Sequence, residues 1–223
     1  MRKITITGSE GLIGKELCKF FKNDHVKKLD IQLGHDLTNE KFVKNWFKKN
    51  PTNYLINCFA INDHIEKNNS KKNLFDIPLK QFSDYMDVNL TSLFSVCRQF
   101  AKNNKKGAIV NFSSTYGLVS PNPSLYSNFQ KDIGYGVSKA GVINLTKFLA
   151  VHLAPNIRVN CVIPGGISFK QNSSFKKNYS KLTPMKRMMK KTELNSMIDL
   201  LCSNNSSYVT GASFVIDGGY TIW

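Results

Sequence analysis

The opening of the chain narrows its possible folds more than any other stretch. Ile4–Thr7 reads as a short buried strand, Thr7-Gly8-Ser9-Glu10-Gly11-Leu12-Ile13-Gly14 follows as a glycine-rich turn, and Leu12–Phe21 has helical apolar spacing. Strand, glycine turn and helix in this order form a phosphate cradle. Glycines let backbone N–H groups approach a pyrophosphate, and the helix N-terminus adds favourable charge. The residues expected at this contact are Gly8, Ser9, Gly11, Leu12, Ile13 and Gly14. The competing reading is a helix-capping turn that holds no ligand.

The rest of the chain continues the alternation. Val26–Asp30, Tyr54–Phe59, Ala108–Ser113, Arg158–Ile163 and Phe214–Ile216 read as strands, and Asn39–Lys49, Leu79–Asn103, Tyr135–Leu153 and Thr192–Cys202 as helices. Such alternation predicts an α/β fold, a Rossmann-like doubly wound parallel sheet flanked by helices. With 223 residues and no persuasive boundary, a single domain over 1–223 is expected. Only five residues separate Asp30 from Asp36. A parallel crossover needs roughly a dozen or more, so the usual third strand should be short or missing.

Asp30 ends the second strand, where its carboxylate could accept hydrogen bonds from both ribose hydroxyls and would repel a 2′-phosphate. NAD is therefore favoured over NADP. Asp36 and Leu37 are placed to reach the adenine. Further along, Tyr135 and Lys139 stand four apart, one helical turn, so that the ammonium could ease deprotonation of the phenol. A phenol so tuned can exchange a proton with a substrate oxygen, and Ser114 could hydrogen-bond the same oxygen. Alone the pair would be noise, because a lysine-rich chain yields about one such spacing by chance.

Composition closes several doors. No run approaches the ~20 apolar residues of a membrane span. The start of the chain shows no secretory pattern, and five scattered cysteines without a Cys/His cluster argue against both a disulfide framework and zinc. A reduced, cytoplasmic protein without metal is expected. The net charge of +16 raises nucleic acid as a partner. Lys outnumbers Arg 27 to 4, however, which reads as solvated surface, and no nucleic-acid partner is expected. Between Asp132 and Glu193 there are eleven Lys/Arg and no acid, and this stretch could attract an anionic ligand.

In this order the residues resemble the short-chain dehydrogenase/reductase family over almost the whole chain. Beside the glycine turn and the Tyr/Lys pair, Asn57-Cys-Phe59-Ala60 stands where the family has Asn-Asn-Ala-Gly. Val88-Asn89-Leu90 resembles the segment with the catalytic Asn, and Phe112-Ser113-Ser114 the strand end with the catalytic Ser. Arg158-Val-Asn-Cys-Val-Ile-Pro164-Gly165 resembles the turn beside the nicotinamide. Thr210-Gly211 and Val215-Ile-Asp217-Gly218-Gly219 resemble the C-terminal signature. The resemblance implies hydride transfer between nicotinamide and a carbonyl or alcohol carbon. Tyr135 would be the general acid or base and Lys139 its pKa-lowering, ribose-holding partner. Ser114 would polarise the carbonyl and Asn89 anchor a relay water. Asn57, Phe59, Ala60, Pro164, Gly165 and Ile167 would line the cofactor, and two long helices would build a homodimer or homotetramer.

The chain also departs from the family. Its glycine spacing and short Asp30–Asp36 connection look like the sugar-nucleotide branch, whereas its C-terminus looks like simple alcohol/ketone dehydrogenases. Ser114 and Tyr135 are 21 apart, against about a dozen in the family. The resulting insert, about 117–132, should loop over the site and resembles members in bacterial surface-sugar modification. The stretch 167–191 is the expected substrate loop. Its eight Lys/Arg within Ser168–Lys191 suggest a phosphate-bearing or acidic substrate such as a sugar or sugar nucleotide, with Lys170, Lys176, Lys177 and Arg187 as candidates for the anion. Two alternatives stay open: an epimerase or dehydratase with tightly held NAD, and a non-catalytic dinucleotide-binding module.

Overall fold

A computed structural model describes residues 1–62, 74–126 and 131–223. Six parallel strands form one sheet in the order β2-β1-β3-β4-β5-β6. They are β1 (Lys3–Thr7), β2 (His25–Leu29), β3 (Tyr54–Asn57), β4 (Gly107–Phe112), β5 (Ile157–Pro164) and β6 (Ser213–Ile216). The helices between them are α1 (Leu12–Phe20), α2 (Glu40–Lys49), α3 (Leu79–Met86), α4 (Ser92–Asn103), α5 (Ile133–Leu153), α6 (Ser173–Lys181) and α7 (Asn195–Leu201).

The central strands are apolar on both faces because both faces are covered. Leu55, Ile109, Val159, Cys161 and Ile163 meet Val43, Phe47, Val96, Phe100, Val142 and Leu149 from α2, α4 and α5. Their sheet neighbours Ile4, Ile6, Ile56, Val110 and Val162 meet Leu17, Phe21, Ile198 and Leu201 on the α1/α7 side. Phe47 and Phe100 meet edge to face at 6.2 Å, and truncating either to Ala should cost about 3–5 kcal/mol.

β2 is an edge strand, as the short Asp30–Asp36 connection requires. Instead of a further strand, the chain makes a 3-10 turn over Ile31–Leu33, capped by the Asp30 side chain and ended by Gly34 at φ 78°. Lys27 and Lys28 on β2 guard this open edge against pairing with another chain.

Three elements differ from the sequence expectation. The long helix over 79–103 is broken by a π-turn, Asp87–Thr91, in which the Ser92 N–H reaches back five residues to the Asp87 carbonyl. The Ser92 hydroxyl donates to that same carbonyl at 2.8 Å. Helical spacing alone does not show such an insertion. The expected helix over 192–202 begins as a 3-10 turn, Lys191–Leu194, before α7. The expected substrate loop contains α6, whose start is capped by Asn172 accepting from the Phe175 N–H at 2.7 Å.

Candidate active site

At the N-terminal turn, each glycine has its own reason. Gly8 has φ 64°, and a Cβ there would lie 2.5 Å from the Phe59 nitrogen. A Cβ on Gly14 would lie 2.0 Å from the Gly8 oxygen. Both are required by the packing of the turn itself. Gly11 is different: a side chain there would meet only the Gly8 oxygen, at 3.2 Å. Gly11 is the N-cap of α1 and supplies no capping side chain, so the N–H groups of Leu12 and Ile13 open the helix uncapped. The Ser9 hydroxyl is enclosed without a hydrogen-bond partner. An uncapped helix start behind a glycine turn fits a pyrophosphate.

Asp30 ties this turn to the end of β2. One carboxylate oxygen accepts from the Glu10 N–H and the other from the Gln32 N–H, both at 2.9 Å. Each oxygen retains acceptor capacity for a ribose hydroxyl. The Asp36 carboxylate is occupied locally by the N–H and hydroxyl of Thr38. Leu37 is 7 % exposed and packs in the α2/α4 core. Phe59 packs against the same core.

Asn57, at the end of β3, sits in a buried chain of hydrogen bonds. Thr7 donates to its oxygen at 3.1 Å, and its amide donates to Asn111 at 2.9 Å. Asn111 in turn donates to the Thr146 hydroxyl at 3.0 Å. The chain joins β1, β3, β4 and α5, three strands and the helix that carries Tyr135. Asn111 and Thr146 escaped sequence reasoning, although a polar residue inside the otherwise apolar run Ala108–Phe112 is the signal for such a role.

Tyr135 sits in the first turn of α5, which Asp132 caps by accepting from the Gly134 N–H at 2.7 Å. Glycine at 134 lets Tyr85 of α3 approach, since a Cβ there would lie 2.9 Å from its ring. The Tyr85 and Tyr135 rings meet edge to face at 6.3 Å. Ser114, just past β4, lies near enough to the Tyr135 phenol to favour its ionised form, and accepts from the Tyr116 N–H at 3.2 Å. The Lys139 ammonium lies 5.8 Å from the Tyr135 ring centroid and donates to the Phe112 carbonyl at 2.9 Å.

The electrostatics correct one expectation. Burial holds the Tyr135 phenol above its ordinary pKa, and the Ser114 hydroxyl pulls it the other way. Burial also brings Lys139 down to about 8, opposed by the Cys161 and Cys58 thiols. Sequence spacing supplied the charge partner but not the desolvation, which pushes both groups towards neutrality. At pH 7 the amine is still mainly charged.

Asn89 occupies the π-turn and is 2 % exposed. Its oxygen accepts from the Ile61 N–H at 2.8 Å, and its amide donates to the Ile61 carbonyl and the Ser138 hydroxyl, each at 3.1 Å. Asn89 thereby clamps the segment just past Ala60 to α5. π-turns commonly mark functional positions. On the far side of the cleft, Gly165 N–H bonds Ile216, and Ile167 pairs with Met189. Gly165, directly after Pro164, packs so closely on Asp217 that a Cβ would lie 2.8 Å from its Cα.

The expected anion-binding residues are distributed differently. Both arms of Arg187 hold Glu193, at 2.6 and 2.8 Å. Lys176 donates to the Phe169 carbonyl at 3.2 Å, Lys170 lies 5.3 Å over the Phe169 ring, and Lys177 is on α6. Among the described residues, no contact brings these four to Tyr135. The cation over the Tyr135 ring besides Lys139 is Lys131, at 4.5 Å from the centroid. The described part of the insert, up to Tyr126, packs on α6 and the C-terminus. Tyr116 and Tyr126 share a hydrogen bond at 2.6 Å, Tyr126 tilts against Phe175, and Tyr179 stacks on Tyr220 at 4.9 Å. Residues 127–130 of the insert lie outside the described residues, whereas Lys131 and Asp132 at its end are described.

A sequence profile described as enoyl-(acyl carrier protein) reductase, of the short-chain dehydrogenase type, matches residues 15–221. The chain belongs to the short-chain dehydrogenase/reductase family. Post-translational flagellin modification protein A of Campylobacter coli is 30 % identical over 97 % of both chains. Glucose 1-dehydrogenase 2 of Bacillus subtilis is 34 % identical, over 66 % of this chain and 58 % of its own. A crystal structure of a short-chain dehydrogenase from Leptospira borgpetersenii with bound NAD+ has a TM-score of 0.84 and 32 % identity, covering 99 % of this chain and 92 % of that one. This short-chain dehydrogenase/reductase is therefore an oxidoreductase.

Proposed function

We propose that the protein oxidises or reduces a sugar or sugar derivative at a ring or chain carbon, with Tyr135 as the proton-transfer residue and NAD as the preferred cofactor. One observation carries this reading. Ser114 from the end of β4 comes together with Tyr135 and Lys139, which stand one turn apart on α5. Bound nicotinamide would supply or accept the hydride at its C4 carbon.

The chain's own residues manage the proton. In the reducing direction Ser114 orients and polarises the carbonyl oxygen, and the Tyr135 hydroxyl protonates it as negative charge develops. In the oxidising direction the phenolate takes the alcohol proton. The Lys139 ammonium stabilises that phenolate, and burial of both groups strengthens their mutual field. Asn89 ties the backbone of Ile61 to Ser138 of α5. Gly8, Gly11, Gly14 and Asp30 would hold the dinucleotide, with Asp30 selecting against a 2′-phosphate.

The relatives named for sugars and for flagellin modification support a polyhydroxylated substrate. Apolar residues on the outer faces of α4 and α5, namely Phe94, Val137, Phe148 and Val151, support a homodimer or homotetramer built on these helices. The five free cysteines support a reduced, cytoplasmic setting. Among the described residues, no helix is long and apolar enough to cross a membrane.

The test is a screen of sugars, polyols and their keto forms with NAD(H) and NADP(H), followed by NADH absorbance. A dehydrogenase changes about one NADH per turnover, whereas an epimerase or dehydratase would show product with no net change in cofactor. Product without net NADH change would reject the reading.

A further inference from the structure

The Tyr135 ring is contacted by a cation that the sequence comparison does not assign. Lys131 precedes the cap of α5 and is half-buried. Its ammonium lies over the Tyr135 ring, 4.5 Å from the centroid, closer than Lys139 at 5.8 Å. A hydrogen bond to the Asn62 side chain helps hold it there, from the segment that Asn89 clamps through Ile61. We propose that Lys131 is an electrostatic positioning residue for the proton-transfer step, its charge over the ring stabilising the Tyr135 phenolate.

The physical reason is the distribution of charge in a phenolate. Deprotonation places negative charge in the ring as well as on the oxygen, so a cation over the face binds the phenolate more tightly than the neutral phenol. The other groups facing Tyr135 do less. Tyr85 of α3 presents a ring edge, Ser114 offers a hydroxyl, and Tyr126 of the insert is a further phenol that feels Tyr135 electrostatically. The Asp132 carboxylate is engaged by the Gly134 N–H and the Gln81 amide. Lys131 and Lys139 thus place two positive charges near the ring, one from just before α5 and one from within it.

The inference rests on Tyr135 being the proton-transfer residue, but its test does not need turnover. The protein is labelled throughout with 3-fluorotyrosine, which lowers the phenol pKa into a range the fold tolerates. The Tyr135 fluorine signal is assigned by its loss in Tyr135→Phe and titrated in wild type, Lys131→Gln and Lys131→Arg. Gln keeps a donor for Asn62 and removes the charge. The expected result is a phenol pKa about one unit higher in Lys131→Gln, restored by Lys131→Arg. The acidic or basic limb of the activity profile should move with it. An unmoved titration in Lys131→Gln overturns the proposal, as does a shift that Arg fails to reverse. A raised KM with an unmoved titration also overturns it and assigns the ammonium to an anion on the substrate. If the titration moves while Tyr135→Phe retains full activity, the proposed function has failed and the electrostatic coupling stands.

Discussion

Asn111→Ala tests the buried hydrogen-bond chain that joins β1, β3, β4 and α5. Asn111 is fully buried, accepts from Asn57 at 2.9 Å and donates to Thr146 at 3.0 Å. Removing its amide leaves the Asn57 Nδ2 with only the Cys97 sulfur at 3.4 Å, a weak acceptor. One stranded buried donor costs about 1–3 kcal/mol, and the lost second hydrogen bond adds roughly 0.5–1.5. The expected loss is therefore about 2–4 kcal/mol, or some 4–16 °C in melting temperature for a chain this long. Urea unfolding at fixed protein concentration reads it as a lower midpoint with an unchanged slope. Asn57→Ala should cost a similar amount, and the double variant much less than the sum. Strict additivity, or a loss below about 1 kcal/mol, would show that the chain of amides does not act as a unit.

Three further outcomes follow from the site. Asp30→Ser removes the charged acceptor at the ribose position, so NADH should bind at least about tenfold more weakly while NADPH gains, read by fluorescence titration. An unchanged preference would remove Asp30 from cofactor selection. Lys139 is brought from 10.5 to about 8 by burial, so the unfolded chain binds more protons between those values and stability rises with pH through that window. The cost of burying the charge is fully present below pH 8; Lys139→Met should therefore raise the melting temperature at pH 7, flatten its rise towards pH 10, and abolish turnover. A lower melting temperature at pH 7 would mean that the bond to the Phe112 carbonyl outweighs desolvation. Phe148→Asp together with Val151→Asp should shift the protein to smaller species in sedimentation, and an unchanged sedimentation coefficient would exclude this face of α5 from assembly.

Much of the architecture is legible in the sequence because apolar periodicity and glycine placement act locally. The short Asp30–Asp36 connection excludes an outer strand on length alone, and a 3-10 turn stands in its place. The π-turn at Asn89 is not legible. It arises because the Asn89 side chain bonds Ile61, a partner 28 residues away that no local pattern encodes. Ser114, Tyr135 and Lys139 are found by spacing, but their pKa directions depend on desolvation by the whole fold. Lys131 is hidden for a similar reason, since its place over the Tyr135 ring depends on three-dimensional packing that residue spacing does not encode. In the cationic run of the substrate loop, the local partners of each side chain are also not legible. Arg187 looks available in sequence but is held by both oxygens of Glu193.

The most direct measurement compares wild type with Tyr135→Phe in NADH-linked turnover on the best substrate from the screen, with NADH affinity measured on both. Loss of the phenolic proton should lower turnover about 100- to 10,000-fold and leave NADH binding essentially unchanged. Undiminished turnover in the Phe variant would contradict the assignment of proton transfer to this residue.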